Sequence, residues 1–102
     1  MGVSKSSTLP EKFVLHQNYP NPFNPTTIIQ YELNNDAFVV ITIHDILGNV
    51  IKVLVSENQR SGHKKIQWNS KSDQGESVPA GVYFCKIEVE NFVATKKILL
   101  LK

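Results

Sequence analysis

The chain has 102 residues, of which 41% are hydrophobic and 20% charged, and a formal net charge of +2. This length suffices for one domain with its own core, and so small a charge does not favour nucleic acid or an anionic membrane as a partner. A single cysteine, Cys85, excludes an internal disulfide, and no run of about eighteen apolar residues is present that could span a bilayer.

The first residues differ from the rest in being small and polar, from Met1 to Thr8, without the apolar stretch of a signal peptide. We expect residues 1–12 to be a cloning remnant or a linker from a larger parent protein, and residues 13–102 to form the domain.

A proline-rich segment follows, from Asn18 to Thr26, with three prolines within six residues. Proline removes a backbone donor and restricts the residue before it, so the segment predicts a stiff loop rather than a helix or a strand. We expect the rings of Tyr19 and Phe23 either to cover one end of the core or to form a preordered docking surface.

Next come segments whose side chains alternate between apolar and polar, a pattern typical of β-strands with one buried face. The predicted strands run from Thr27 to Leu33, from Phe38 to Asp45, from Val50 to Val55 and from His63 to Asn69. Because Ile51 and Leu54 do not keep a strict period of two, we expect a bulge or twist in the third of these strands. Residues 76–78 predict a short strand at best.

The last part of the chain predicts a β-hairpin with its turn at Asn91. The first strand alternates from Val82, after a turn that Gly81 permits. The returning strand begins with alternation and finishes in the lysine-bounded apolar run Lys97–Lys102, which we expect to be buried on both faces. Such a run either packs into a core or contacts a partner.

Six or seven short strands, regular turn signals and no helical periodicity predict an all-β fold, an immunoglobulin-like antiparallel β-sandwich of about seven strands. The expected core is the inward-facing set of side chains. This set is Ile29, Tyr31, Leu33, Val39, Ile41, Ile43, Ile51, Leu54, Ile66, Trp68, Tyr83, Cys85, Ile87, Ile98 and Leu100.

Residues that could carry out chemistry are scattered along the chain. The three histidines, His16, His44 and His63, lie in different segments without ligand-like spacing, and we expect them to be solvated surface residues. We expect the carboxylates of Asp45 and Asp73 to bond the backbone of their own turns rather than bind calcium. Since Cys85 also falls on an inward face, the sequence predicts no enzyme, no cofactor and no metal site.

Five motifs occur in order along the chain, and together they resemble one family. They are the string Asn18–Thr27, the turn Ile43–Gly48, the strand Gly62–Trp68, the segment Gly81–Phe84 and the run Lys96–Lys102. The resemblance is to the type A C-terminal sorting domain of the type IX (Por) secretion system, from about Leu15 to Lys102. The chain departs from the family at Asn69-Ser70, where Trp-Asp-Gly is usual, and at Cys85, where an aromatic residue is common.

This resemblance implies an immunoglobulin-like domain at the end of a larger secreted enzyme or adhesin of a Bacteroidetes-type bacterium. In that family a general export signal brings the protein to the periplasm, and the domain then directs passage across the outer membrane through the secretion translocon. A sorting peptidase often removes the domain as the cargo is released or attached to surface lipopolysaccharide. The cargo would therefore be secreted or held at the cell surface.

The resemblance also identifies candidate residues for partner recognition. Gly81 and Tyr83 match the Gly-x-Tyr motif of the family, and Lys97 to Lys102 match its terminal strand. We expect the secretion machinery to recognise the final hairpin through its strand edge and through Lys97 and Lys102. No reacting group is needed for this role.

A second class of function remains open. The same patterns resemble the immunoglobulin-like domain of flagellar hook-capping proteins, so an accessory interaction or carbohydrate-binding module of a secreted enzyme is the alternative. The asparagine-proline string and the terminal apolar run favour sorting.

Overall fold

The computed structural model describes residues 13–101, which fold into β-strands joined by turns and loops. In chain order the strands are β1 (Phe13–Leu15), β2 (Thr27–Leu33), β3 (Ala37–His44), β4 (Val50–Gln59), β5 (Gly62–Trp68), β6 (Gly81–Val89) and β7 (Phe92–Leu100). The predicted linker, residues 1–12, and Lys102 lie outside the described residues. Within the described part of the chain, no helix is long and apolar enough to cross a membrane.

The strands form two antiparallel sheets, one with the order β1-β2-β5 and the other with the order β4-β3-β6-β7. The two sheets pack face to face as a sandwich, which confirms the predicted fold class. In the four-stranded sheet, β4 and β7 are the edge strands. Each has an outer row of backbone N–H and C=O groups that is not hydrogen-bonded to another strand of this sheet.

The core lies between the sheets. Its hydrophobic members are Phe13, Leu15, Phe23, Ile29, Tyr31, Leu33, Val39, Ile41, Ile43, Val55, Trp68, Val78, Tyr83, Cys85, Ile87, Val89, Ile98 and Leu100. The predicted inward set is buried except for Ile51, Leu54 and Ile66, which are half-buried and pack against the core. Trp68 stands between two other rings, with ring centroids 5.7 Å from Phe23 and 5.6 Å from Tyr83.

Bulges in β4 account for the break in the alternation of apolar and polar side chains along this strand. The register against β3 shifts twice, and the extra residues on β4 are Leu54 and Ile51, which confirms the predicted bulge or twist. The strand is also longer than predicted, because Ser56 to Gln59 continue to pair with β3. Polar side chains gave no strand signal there, whereas the backbone groups that pair are the same for every residue.

One further prediction needed correction. Residues 76–78, for which the sequence predicted a short strand at best, make one isolated bridge from Ser77 to Lys71, and Val78 is buried. The terminal run is not buried on both faces, since Ile98 and Leu100 are buried but Leu99 is 36% and Leu101 48% exposed. The reason is that the second sheet covers only one face of β7, and its other face meets solvent.

Candidate recognition surface

The proline-rich segment lies against the outer edge of β7. We refer to residues 17–26 as the Asn-Pro loop. The backbone N–H of Phe23 donates to the carbonyl of Leu99 at 2.9 Å, and the N–H of Leu101 donates to the carbonyl of Phe23 at 2.8 Å. These two bonds make a parallel bridge between Phe23 and Leu100, so the loop continues the four-stranded sheet by one short segment.

Two side chains of the Asn-Pro loop extend this contact. The amide nitrogen of Gln17 donates to the carbonyl of Lys97 at 2.9 Å, and the side-chain oxygen of Asn21 accepts from the N–H of Leu99 at 3.0 Å. The edge of β7 is therefore hydrogen-bonded from the Lys97 carbonyl to the Leu101 N–H. This occupancy argues against the addition of a partner strand at that part of β7, which the sequence had suggested.

Buried polar side chains hold the Asn-Pro loop in place. Asn18 is only 4% exposed, and its amide nitrogen donates to Thr27 Oγ1 at 2.9 Å and to the carbonyl of Pro20 at 3.1 Å. The hydroxyl of Thr27 donates to the same carbonyl at 2.8 Å. Because proline offers no N–H, these side chains supply the donors that a proline-rich backbone lacks.

The two rings of the Asn-Pro loop have different environments. Phe23 is 2% exposed and packs on Trp68, as expected for a cover over the end of the core. Tyr19 is 75% exposed, so the expectation that both rings cover the core is wrong for this residue. Of the two rings, only that of Phe23 anchors the loop by burial.

A shallow groove of about 230 Å³ lies where the Asn-Pro loop meets the β6–β7 hairpin. Its lining residues are Asn21, Pro22, Val82, Lys97, Ile98 and Leu99. The pair Val82 and Leu99 lie opposite each other on the two strands, on the outer face of the sheet. Sequence reasoning had treated Leu99 as buried and had assigned no role to Pro22, because nothing in the sequence placed the loop beside β7.

The predicted recognition residues Gly81, Tyr83 and Lys97 lie at this end of the hairpin. Gly81 begins β6 with a φ of 146°, a conformation that residues with a Cβ rarely adopt. Lys97 is exposed at the rim of the groove and pairs across the strands with Phe84. Lys102, the fourth predicted residue, lies outside the described residues.

Tyr83 lies on the other face of the hairpin and does not reach the groove. It is 5% exposed, its ring packs on Trp68, and its hydroxyl donates to the carbonyl of Pro79 at 2.6 Å. Burial, with a smaller effect of the Asp45 charge, raises the pKa of this hydroxyl above its ordinary value. Tyr83 thus fixes the turn before β6 from inside the core.

The histidines are less scattered than the sequence suggested. On the three-stranded sheet, Nε2 of His16 lies 2.6 Å and Nε2 of His63 lies 3.8 Å from the carboxylate of Glu32. His44 is half-buried, and its ring nitrogens lie 2.8 Å from Thr42 Oγ1 and 3.2 Å from the carbonyl of Gly48. Across residues 13–101, no group of three or more His, Cys, Asp or Glu side chains has the geometry to hold a metal ion.

The two turn carboxylates behave differently from each other. Asp45 accepts from Asn49 Nδ2 and from the N–H groups of Leu47 and Asn49, as predicted, and the Asn49 side chain is the largest cause of its lowered pKa. Asp73 does not bond its own turn, and that prediction was wrong. Its carboxylate accepts from the N–H of Val53 at 3.2 Å and lies 3.6 Å from Lys52 Nζ, both on β4.

Cys85 has no features of a nucleophile. It is 1% exposed in the centre of β6, and burial raises the pKa of its thiol to about 12. Hardly any thiolate therefore exists at neutral pH.

Comparison with known proteins supplies a family and a fold. The model of the family described as secretion system C-terminal sorting domain matches residues 17–101. No curated protein matches the chain.

Among solved structures, dimeric latent PorU from Porphyromonas gingivalis has a TM-score of 0.67 at 19% identity, over 87% of this chain and 9% of that one. PorZ, a surface component of the type IX secretion system of the same organism, has a TM-score of 0.61 at 20% identity, over 86% of this chain and 11% of that one. FlgD from P. aeruginosa has a TM-score of 0.58 at 17% identity, over 86% of this chain and 70% of that one. The chain thus spans about a tenth of the first two proteins, and these similarities show the fold.

Proposed function

This chain belongs to the family of C-terminal sorting domains of the type IX secretion system, and we propose that it directs a larger cargo protein across the outer membrane. The family is one of secretion signals, and its cargo proteins are secreted or held at the cell surface. The proposed partners are the outer-membrane translocon and a sorting peptidase that processes the cargo.

The main support for this proposal is that the two most distinctive motifs form one surface. The Asn-Pro loop and the β6–β7 hairpin are about eighty residues apart in sequence, yet four hydrogen bonds join them from Lys97 to Leu101. A signal must keep its shape when attached to different cargo proteins. Buried Phe23 and Asn18 give this surface a fixed geometry that does not depend on the cargo.

The four recognition residues take two different roles in this proposal. Lys97 and Lys102 contact the partner through charge-assisted bonds. Gly81 and Tyr83 position the hairpin, one through its positive φ and the other through its buried ring and its bond to Pro79. Recognition needs no reacting group, and we propose that the domain is not catalytic.

We propose residues 13–102 as the sorting domain and residues 1–12 as a linker or a cloning remnant. Support for including Phe13 in the domain is that it is buried and pairs with Leu33 of β2. The likeness to FlgD concerns the fold, and no contact or cavity of the described residues favours a second function.

An export assay tests the proposal. Residues 13–102 are fused to an inert periplasmic reporter in a host with an active type IX system, and reporter activity is measured outside the cells. We expect export of the fusion and loss of export in a host whose translocon is deleted. A fusion that folds but stays in the periplasm of the competent host would contradict the proposal.

A second arm addresses the recognition residues. Because deletion of Lys97 to Lys102 also removes buried Ile98 and Leu100, the sharper variant is Lys97→Glu, which changes only an exposed side chain. Lys65→Glu is the matched control, since Lys65 is an exposed lysine on β5 in the other sheet. We expect export to fall for Lys97→Glu and to be unchanged for Lys65→Glu.

A further inference from the structure

The outer face of the four-stranded sheet is apolar at the end that carries the groove. Cross-strand pairs place Val82 beside Leu99, and Phe84 beside Lys97. Val82 and Phe84 are half-buried and Leu99 is 36% exposed, although the opposing sheet does not cover this face. Directly opposite side chains on one face of an antiparallel pair lie close enough to interact. Val82 and Leu99 both line the groove and form its apolar floor, with Phe84 next to Val82 on the same face.

The Asn-Pro loop adds a wall to this floor. Pro22 and Asn21 line the groove on the side away from β6. Their position is fixed, because the Asn21 side chain accepts from the N–H of Leu99 and the next ring, Phe23, is buried. A groove held in this way loses little entropy when something binds in it.

The rim of the groove is cationic. No carboxylate among residues 13–101 forms an ion pair with Lys97. The next lysine on this face, Lys86, lies 3.4 Å from Glu88, but both side chains are more than a third exposed, so that pair is weak and easily exchanged. Within residues 13–101, a negative group that approaches Phe84 therefore meets the ammonium group of Lys97, which no described carboxylate pairs, and the loosely paired one of Lys86.

The size of the groove limits what it can take. Pockets for small molecules and cofactors usually measure about 300–1,000 Å³ and enclose most of the ligand. This groove measures about 230 Å³, is open, and has walls that are mainly apolar. It suits one or two side chains of a polypeptide rather than a whole small molecule. Its backbone edge is already occupied by the Asn-Pro loop, so contact is through side chains.

We propose that the groove binds an extended acidic segment of a partner protein. An apolar side chain of that segment lies on Val82, Leu99 and Pro22, and a neighbouring carboxylate bonds the ammonium group of Lys97. This inference rests on the proposed function, in which the partner belongs to the secretion machinery. It goes further by naming the chemistry that the partner presents.

A defined peptide serves as the probe. The acetylated and amidated hexapeptide Glu-Leu-Glu-Phe-Glu-Leu is titrated into the isotope-labelled 102-residue chain, and amide chemical shifts are followed. Peptides with Gln or Lys in place of Glu, and with Ser in place of the apolar residues, are the controls. We expect saturable shifts confined to residues 21–23, 82–86 and 97–99 with the acidic apolar peptide alone.

Two pairs of variants test the two halves of the groove. Lys97→Glu should weaken binding about tenfold, because it replaces attraction by repulsion, with Lys65→Glu as control. Leu99→Ser should weaken binding about tenfold by removing apolar contact, and its control is Val93→Ser on the same strand and face. Val93 is 55% exposed and lies away from the groove.

Several results would overturn the inference. Equal binding of the Gln peptide, or binding that Lys97→Glu and Leu99→Ser leave unchanged, would show that the groove does not select acidic apolar segments. Shifts at the same residues on raising the protein concentration without peptide would assign the groove to a second copy of this chain. If no peptide gives a saturable shift, the proposal that the groove binds an acidic segment is wrong.

The export assay separates this inference from the proposed function. If the wild-type fusion is exported and the Lys97→Glu fusion is exported equally well, the inference is wrong and the sorting role stands. If the wild-type fusion is not exported although the peptide binds as described, the sorting role is wrong and the binding site stands.

Discussion

The two edge strands of the four-stranded sheet differ in how their outer backbone groups are protected. Strand β4 is distorted, with extra residues at Ile51 and Leu54, and Asp73 bonds it at two points. Strand β7 is regular and pairs with β6 at every position from Gly81↔Leu100 to Val89↔Phe92. A bulged and polar edge is a poor template for another strand, whereas a regular edge is a good one.

This difference between β4 and β7 explains why the Asn-Pro loop lies along the outer edge of β7. A regular edge must be covered, and the loop covers β7 from Lys97 to Leu101. The rest of the edge carries Lys96, a half-buried lysine on the core-facing side of the strand opposite Cys85. A charged side chain on the inner face of an edge strand also discourages pairing. From Lys97 to Leu101, side chains rather than outer backbone groups are therefore what β7 leaves accessible.

The largest expected effect follows from removing the anchor of the loop. Phe23→Ala deletes a buried ring beside Trp68, and we expect a loss of about 3–5 kcal/mol in the free energy of unfolding. Urea unfolding followed by circular dichroism measures this loss. Tyr19→Ala, in the same loop but 75% exposed, should change stability by less than about 0.5 kcal/mol. Similar losses for the two variants would mean that the loop does not depend on Phe23.

The next effect concerns the polar contacts that hold the loop. Asn18→Ala removes the donor to Thr27 Oγ1 and one of the two donors to the Pro20 carbonyl, which keeps its bond from the Thr27 hydroxyl. We expect a loss of about 1–3 kcal/mol in the free energy of unfolding. Hydrogen exchange should become faster at the amides of Leu99 and Leu101, which the loop protects. Asn24→Ala, an exposed asparagine in the loop, is the control. Unchanged exchange at both amides in Asn18→Ala would contradict the role given to this side chain.

A smaller effect is expected at the other edge. Asp73→Ala removes the acceptor of the Val53 N–H and the neighbour of Lys52. Water can replace the carboxylate at this exposed edge, so we expect a loss of at most about 1 kcal/mol in the free energy of unfolding. Gln74→Ala, an exposed residue of the same loop, is the control. A loss as large as that of Phe23→Ala would show that β4 depends on its cover as much as β7 does.

The last prediction concerns pH and the turn that leads into β4. The hydrogen bond from the Asn49 side chain, together with backbone bonds from Asn49, Leu47 and Gly48, lowers the pKa of Asp45 in the folded chain. The stabilisation by this carboxylate is therefore complete above the ordinary pKa of an aspartate and is lost as the pH falls through the lowered value. Asp45→Asn should remove this part of the acid dependence in urea unfolding series at several pH values. An identical acid dependence in wild type and variant would contradict the prediction.

Much of the fold followed from local patterns. Alternation identified β2, β3, β5 and β6, since a strand with one buried face must place apolar residues at every second position. The break in that alternation at Ile51 and Leu54 located the bulges. Strand β1 has only three residues, too few to show a period, and the outer part of β4 is polar, so neither gave a signal.

The candidate surface was predicted less completely. Sequence motifs predicted Gly81, Tyr83 and Lys97 as recognition residues, without separating a role in contact from a role in positioning. The structure buries Tyr83 and exposes Leu99, because burial depends on which face of a strand the second sheet covers. Pro22 and Asn21 were absent from the predicted site, since their contact with β7 joins segments far apart in the chain.

The sequence by itself determined most of the strands, their inward faces, most of the turns and the family, because each of these depends on residues that are close together in the chain or in a fixed order. Only the tertiary structure decided which edge of which strand the Asn-Pro loop covers and where the groove lies. The physical reason is that a backbone edge offers the same donors and acceptors whatever its side chains. Which segment pairs with it is therefore settled by the packing of buried anchors such as Phe23 and Asn18.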